Sequence, residues 1–373
     1  MAVVNTALSF DTDVTDAAVL AACAKAGGCY QGQTHGHQGF LLSAEEANKE
    51  LRERPASRAV LFPYLTADEL LGESDSLPTR YVIDFTGCDL LSSRRFPRLY
   101  ERVGRTVLPD RKRAAEREKA RTGEALHADP SALVNRHHAN FLANWWCLSY
   151  PREEMLRALA MLPRYIVCGR VTKRPVFEFV SSAIRPNDAL TVFPYADDYS
   201  FGILQSDAHW RWFVNRCSTL TERFRYTSNT VFDTFAWPQD PTKAQIEAVA
   251  DAAVALRKLR RTLMKEHQLS LRELYRSLES PGKHPLKGAQ AALDGAVRAA
   301  YGMGKSKDPL GFLLDLNARL AARESEGETI VGPGLPPRAG NAKRLITADC
   351  VGGAVSPRPS AVSRARAPLT ADG

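Results

Sequence analysis

The segment Tyr199–Trp237 reads YSFGILQSDAHWRWFVNRCSTLTERFRYTSNTVFDTFAW, and its reading decides how the chain divides. It holds Trp210, Trp212 and Trp237, three of the five tryptophans, which together with Phe201 and Phe235 predict core. Phe201-Gly202-Ile203-Leu204 is a short apolar run that predicts a strand, and a helix from Ala208 to about Leu220 follows. Next comes Arg223-Phe224-Arg225-Tyr226-Thr227, where basic and aromatic residues alternate. In an extended chain Arg223 and Arg225 share one face, and Phe224 and Tyr226 share the other. That suits a strand presenting guanidinium groups on a packed support. An ordinary amphipathic edge strand with solvated arginines has the same pattern. A last apolar strand ends at Trp237-Pro238.

Upstream the strand pattern continues through Tyr165–Cys168, Val176–Val180 and Leu190–Phe193, punctuated by Pro163, Pro175, Pro186 and Pro194. Phe40–Leu42, Val60–Leu65 and Tyr81–Phe85 predict further strands, and Ser43-Ala44-Glu45-Glu46 a capped helix that ends before Pro55. Residues 94–160 predict helices, with Pro151 starting a short one. Downstream only helical patterns remain. Thr242–Gln245 and Ser270–Glu273 are capping boxes, Leu286, Ala289, Leu293, Val297 and Tyr301 stripe a third helix, and Asp308-Pro309 opens a fourth. The fold class is therefore α+β. A mixed, β-rich domain is expected over 27–238 and a small all-α domain over 239–330. Residues 1–26, with the strand-like Ala2–Val4, read as the end of a preceding domain. From 331 to 373 the composition turns to Pro, Gly, Ala and Ser with scattered Arg, which predicts a disordered basic tail.

The chain has 373 residues, 44% hydrophobic and 25% charged, enough for a sizeable core in a soluble protein. Its net charge is +8, and the segment from Arg94 to Arg121 alone carries eleven Lys/Arg against four Asp/Glu. An anionic partner, nucleic acid first, fits that balance, and the 94–121 segment, with Arg111, Lys112 and Arg113, is the candidate phosphate grip. Seven scattered cysteines without a C-x-x-C pair argue against a disulfide framework or zinc site and predict a reducing cytoplasm. No apolar run approaches the length of a membrane-spanning helix, and the N-terminus lacks a signal-peptide pattern.

Chemistry-bearing motifs are scarce. The glycines between Gly27 and Gly39, and Gly352-Gly353, do not join a strand to a helix as a nucleotide loop does. Neither an Asn/Asp-Pro-Pro-aromatic tetrapeptide nor a phosphate-binding GxxxxGK[ST] occurs. Pro109-Asp110 with Glu116, Glu118 and Lys119 lacks the spacing of a nuclease metal site. His35-x-His37 and His137-His138 read as loop or surface histidines, and Asp197-Asp198 as a turn before Tyr199. No catalytic, metal or cofactor-binding residue is assigned.

Taken in order, a set of stretches resembles the C-terminal part of MmeI-type restriction–modification enzymes, single chains with adenine-specific DNA methyltransferase activity. They are Gln31-Gly32 with Gly39-Phe40, Val60–Leu65, Tyr81–Phe85, Phe96-Pro97 with Val107–Arg111, Trp145-Trp146, Val171-Thr172-Lys173, Asp198–Ser206 with His209-Trp210, Arg225-Tyr226-Thr227, Phe235–Pro238, Leu271–Tyr275, His284–Lys287 and Leu293-Asp294. They cover roughly 25–335. The resemblance implies a target-recognition domain over about 27–238 and a helical domain after it. In the family a nuclease, a spacer and an S-adenosylmethionine-binding methyltransferase domain precede these. Their motifs are absent here, so no cofactor is expected in this chain and no activity is carried over. The implied function is recognition of double-stranded DNA, with no membrane partner, as the specificity part of an adenine-N6 methyltransferase, joined to it or supplied in trans. A specificity subunit of a split system and an inactive remnant are the alternatives. The resemblance places base reading just before Arg-Tyr-Thr, at Thr221, Arg223 and Arg225, and in the loop Asn187-Asp188. It puts the loop Thr172-Lys173-Arg174 against the DNA as well, as phosphate contacts.

Overall fold

The structure is a computed structural model that describes residues 13–220, 223–279, 281–304 and 306–353. The first half runs α1 (Ala21–Lys25), β1 (Tyr30–Gln31), β2 (Leu41–Ser43), α2 (Ala44–Glu53), β3 (Leu61–Leu65), α3 (Ala67–Gly72), β4 (Arg80–Ile83), α4 (Leu90–Ser93), the long α5 (Pro97–Ala128), α6 (His137–Ala143) and α7 (Glu153–Leu159). The second runs β5 (Arg164–Gly169), β6 (Val171–Thr172), β7 (Glu178–Ser181), β8 (Arg185–Pro186), β9 (Leu190–Phe193), α8 (Asp198–Gln205), α9 (Asp207–Arg216), β10 (Ser218–Leu220), β11 (Arg223–Arg225), α10 (Lys243–His267), α11 (Leu271–Ser277), α12 (Pro285–Ala300) and α13 (Pro309–Ser325). The fold is α+β, with the strands before residue 226 and helices after it among the described residues.

β5 is the organising strand. It lies inside the antiparallel sheet β1-β9-β5-β7, with Tyr165 opposite Val180 and Val167 opposite Val192. Its side chains alternate between two apolar cores. Ile166 and Cys168 face Phe177, Phe193 and Trp237, while Tyr165 and Val167 face Leu65, Met155 and Leu190. A second sheet, β2-β4-β3-β8, closes its own core of Phe40, Val82, Phe85, Val103 and Val107 beneath α5. A small third sheet, β10-β11-β6, stands at the edge.

Capping boxes form at Ser43, Thr242 and Ser270, as the spacing predicts. Phe201–Leu204 is not a strand. It lies within α8, every residue of which is buried, and a helix buried all round leaves no apolar stripe to read. Gly202 permits this packing, because a Cβ there would stand 2.6 Å from Val249 Cγ1 on α10. Asp197-Asp198 is likewise not a free turn. The Asp197 carboxylate caps α8 by accepting from the Ser200 amide at 2.7 Å, and Asp198 points into the core. Before Trp237, Ser228–Phe232 winds into a π-helical turn where a strand is expected.

The β-rich and helical parts share one core. Trp212, Phe235 and Trp237 pack in the same cluster as Val249, Leu256, Leu293 and Leu313. At its heart Arg164 and Arg257, both 0% exposed, converge on Asp198 at 2.8 and 2.5 Å. Asp349 joins them, 3.1 Å from Arg257 Nε and 2.6 Å from Arg261. Thr347 also donates its amide to Asp198 at 3.1 Å. Arg164 lies flat 3.6 Å above the Phe179 ring. These arginines hold the Asp349 carboxyl well below the ordinary carboxylate range, against the opposing pull of burial.

That cluster moves the start of the expected tail. Residues 331–353 are packed, because Asp349 supplies charge the arginines need and Val351 extends the edge of β7, accepting from Ser181 N at 3.0 Å and donating to Phe179 O at 2.8 Å. Residues 354–373 lie outside the described residues. At the other end residues 13–26 hold α1 and no strand, while Ala2–Val4 lies outside the described residues. Arg216 donates to the Val14 and Thr15 carbonyls at 2.7 and 2.8 Å, and the Asn317 amide pairs with both backbone groups of Ala18 at 2.9 Å. Glu324 accepts from the amides of Ala21 and Ala22 at 2.7 and 2.8 Å. Among the described residues no helix is long and apolar enough to cross a membrane.

Candidate nucleic-acid interface

β11 pairs with β6 antiparallel, Arg225 opposite Val171 and Phe224 opposite Thr172, and the pairing extends through Tyr226 N to the Arg170 carbonyl at 2.9 Å. The alternation is as the sequence predicts. Tyr226 is buried and stacks on Phe213 at 5.3 Å, Phe224 meets the same ring edge-on at 6.0 Å, and Arg225 goes the other way.

Beneath the strand lies His209. Its Nδ1 donates to the Leu204 carbonyl at 2.8 Å, which leaves Nε2 to accept from the Tyr226 hydroxyl at 2.9 Å. Burial pulls this imidazole down to about 4. The folded state resists its protonation, so its contribution is intact above the ordinary histidine value of about 6.5 and lost as pH falls towards 4. Relative to His209→Gln, the parent chain is expected to lose roughly 3 kcal/mol of unfolding free energy between pH 6.5 and 4. Urea titrations of both chains at several pH values check this. Asp197, raised to about 6 by burial, is common to both chains and drops out of the difference.

Arg225 does not stand alone. Arg170, at the end of β5, is half-buried, and its guanidinium is pulled below the usual arginine value by burial, then by Arg225 and Arg152. Asp188 is the carboxylate that opposes this. Arg152 sits in a left-handed conformation (φ 57°), 5.3 Å over the Tyr150 ring, and donates to Gln31 Oε1 at 3.1 Å. Gln31 in turn donates to the Asp188 carbonyl at 3.3 Å, and the Asp188 carboxylate accepts from the Thr34 hydroxyl at 3.0 Å. The Nε groups of Arg152 and Arg225 are buried without a hydrogen-bond partner among the described residues. Arg170 thus feels two other guanidinium groups and one carboxylate. Arg170 and Gln31 line an open cavity of about 150 Å³ together with Tyr30, Thr227, Ser228 and Asn229. Unmatched cations beside planar polar groups favour an anion with hydrogen-bond acceptors.

The structure sorts the sequence-predicted residues. Arg225 and Asp188 both act on Arg170. Arg223 lies on β11, with its side chain outside the description, and Thr221 lies outside the described residues. Asn187 is turned inward. Its amide donates to the Tyr64 hydroxyl and accepts from Ala189 N, both at 2.9 Å, so it shapes the loop that carries Asp188 rather than facing a base. The Thr172 hydroxyl closes a local turn onto the Arg174 carbonyl at 2.6 Å, Lys173 is exposed, and Arg174 folds back over Trp210 at 4.8 Å. Lys112 and Arg113 are exposed, Arg113 pairing with Asp110. Arg111 is not a phosphate grip. It is 8% exposed, donates to the carbonyls of Phe141 and Asn144 at 3.0 Å, and is lowered to about 10 by burial. Its place in a run of basic residues hid that role. Arg152 and Arg170 carry no sequence signal, because each is a single polar residue with no motif around it, and Gln31 enters only as part of the Gln31-Gly32 stretch.

The remaining candidates stay structural. His37 uses both ring nitrogens, on Asp110 at 2.9 Å and on Gly39 N at 2.9 Å. Among the described residues no three His, Cys, Asp or Glu converge as a metal site. The glycines of the 27–39 region face protein atoms. A Cβ on Gly28 would stand 2.1 Å from the Tyr195 hydroxyl, and one on Gly32 2.1 Å from the Asn187 carbonyl.

Comparison with known proteins bears on the same strands. A family model described as the MmeI target recognition domain matches residues 167–239, from β5 to just past Trp237. Among solved structures, that of the Type IIL restriction-modification enzyme MmeI in complex with DNA is similar, with a TM-score of 0.58 and 21% identity over 79% of this chain and 36% of that one. The chain thus spans about a third of the length of that enzyme. No curated protein matches it.

Proposed function

We propose that this chain binds duplex DNA and reads its sequence, as the specificity part of an adenine-N6 DNA methyltransferase or fused restriction–modification enzyme. The observation that carries the reading is the set of charges around Arg170, namely Arg152, Arg225 and Asp188, of which all but Arg152 lie inside the segment that matches a target recognition domain. Arginine pairs with the acceptors of guanine in the major groove, and a carboxylate accepts from the amino group of cytosine. β11 and the 187–188 loop present both kinds of group on a rigid base. Lys173, exposed at the tip of the neighbouring turn, is a phosphate contact that sets register.

Methyl transfer itself requires S-adenosylmethionine. The glycines between Gly27 and Gly39 are filled against tyrosine, serine, threonine and backbone atoms and offer that cofactor no cradle. The chemistry therefore belongs to a methyltransferase domain or subunit acting with this chain. Its own contribution is to hold the duplex while a target adenine is turned out elsewhere.

Selection of the purified chain on a randomised duplex pool tests the reading. Enrichment of a short motif is expected, with affinity falling steeply and log-linearly with salt. An unenriched pool and salt-independent retention would overturn it. Labelled S-adenosylmethionine in the same mixtures should leave no methyl group on the DNA.

A further inference from the structure

α5 is longer than its packing requires. Its last buried residue is Glu118, yet the helix continues to Ala128 with its surface largely open. One partner packs along it, and that partner is clamped at both ends. Arg111 takes the carbonyls of Phe141 and Asn144 at the C-terminal end of α6, and Glu118 takes the amides of His138 and Ala139 at its N-terminal end, at 3.1 and 2.9 Å. Each charge opposes the helix dipole it meets. Two charged residues of the 94–121 segment are thereby used up internally.

Arg98 and Arg102 pair with Glu53 and Glu46 near the start of the helix, and the cations beyond them face outward. Arg105, Lys112, Arg113, Arg117, Lys119 and Arg121 are exposed, and of these only Arg113 has a carboxylate within ion-pair distance among the described residues. Glu116 is the one exposed acidic residue between Lys112 and Arg121. The band from Arg105 to Arg121 extends about 24 Å along the helix, close to the rise of seven base pairs. It is continuous with the reading cluster. Phe141 on α6 meets the Tyr150 ring edge-on at 5.7 Å, and Arg152 lies over that same ring.

We infer that α5, braced by α6, is a second DNA-contacting element that lies along the duplex flanking the read sequence and binds its phosphates without reading bases. The inference rests on the DNA-reading function proposed above. A run of like charge on a rigid rod suits a phosphate backbone, and between 105 and 121 six exposed cations face one exposed carboxylate, Glu116, and the half-buried Asp110.

The test uses the whole chain carrying Lys112→Gln, Arg117→Gln, Lys119→Gln and Arg121→Gln together, all at exposed positions, with an unchanged thermal melt as the folding control. Binding is measured on mixed-sequence duplexes of about 40 and about 12 base pairs across a salt series. On the long duplex, affinity should fall roughly tenfold or more and the salt slope should flatten by about two to four. On the short duplex, affinity and the motif selected from a random pool should not change. An unaltered slope on the long duplex overturns the inference and leaves the reading function standing. Failure of the parent chain to bind either duplex removes both.

Discussion

Asp198→Ala is expected to lower the unfolding free energy by about 3–5 kcal/mol, the largest single-residue effect in the chain. The carboxylate is 1% exposed, and two fully buried guanidinium groups converge on it. Removing it strands both in the core with Asp349 as the remaining counter-charge, and Asp349 already serves Arg261 at the surface side. A loss of that size is a large share of the roughly 5–15 kcal/mol that holds a domain together. Asp198→Asn keeps the shape and loses the charge, so it should retain little of the difference. Equilibrium urea unfolding measures both. A change under about 1 kcal/mol for the alanine variant would mean that Asp349 and the backbone carbonyls satisfy the arginines unaided.

Asp198 also marks where sequence reading stops. Nothing near it in the chain announces an ion cluster, since its partners stand at 164, 257 and 347. Next to Asp197 it looked like half of a turn, because local patterns carry no information about distant charges. The same limit explains α8, whose uniform burial left no helical period, and Arg111, whose neighbours suggested solvent. Legible features were those set by local physics. The capping boxes at Ser43, Thr242 and Ser270 and the inward placement of Phe224 and Tyr226 opposite Arg225 each follow from spacing within a few residues. The site was half legible for the same reason. Arg225 and Asp188 sit in recognisable segments, whereas Arg152 and Arg170 reach the cluster through tertiary packing.

Arg225→Gln and Arg170→Gln should each weaken binding to the selected duplex by about 1–3 kcal/mol, roughly 5- to 150-fold, and relax preference at the base pair each one faces. The two changes should not add, because the two guanidinium groups already repel one another through a shared, half-buried site. Lys173→Gln supplies the contrast. A phosphate contact is lost evenly across all sequences and takes about one unit from the salt slope. Competition titrations with the selected motif and its single-base variants separate the cases. If both arginine variants lose affinity evenly over every variant, Arg152, Arg170 and Arg225 grip the backbone, and base reading lies elsewhere on β11.

The buried ion cluster also orders events in time. Asp349 lies 185 positions after Arg164, so on the ribosome β5 and α10 are made well before the second carboxylate that serves their arginines. Until Thr347–Val351 is threaded in, Arg164 and Arg257 have Asp198 alone between them and the edge of β7 stands open. Such an intermediate exposes an unpaired strand edge to chaperones and proteases. The late-made stretch therefore works as a latch that closes the core and covers the last open edge of β7.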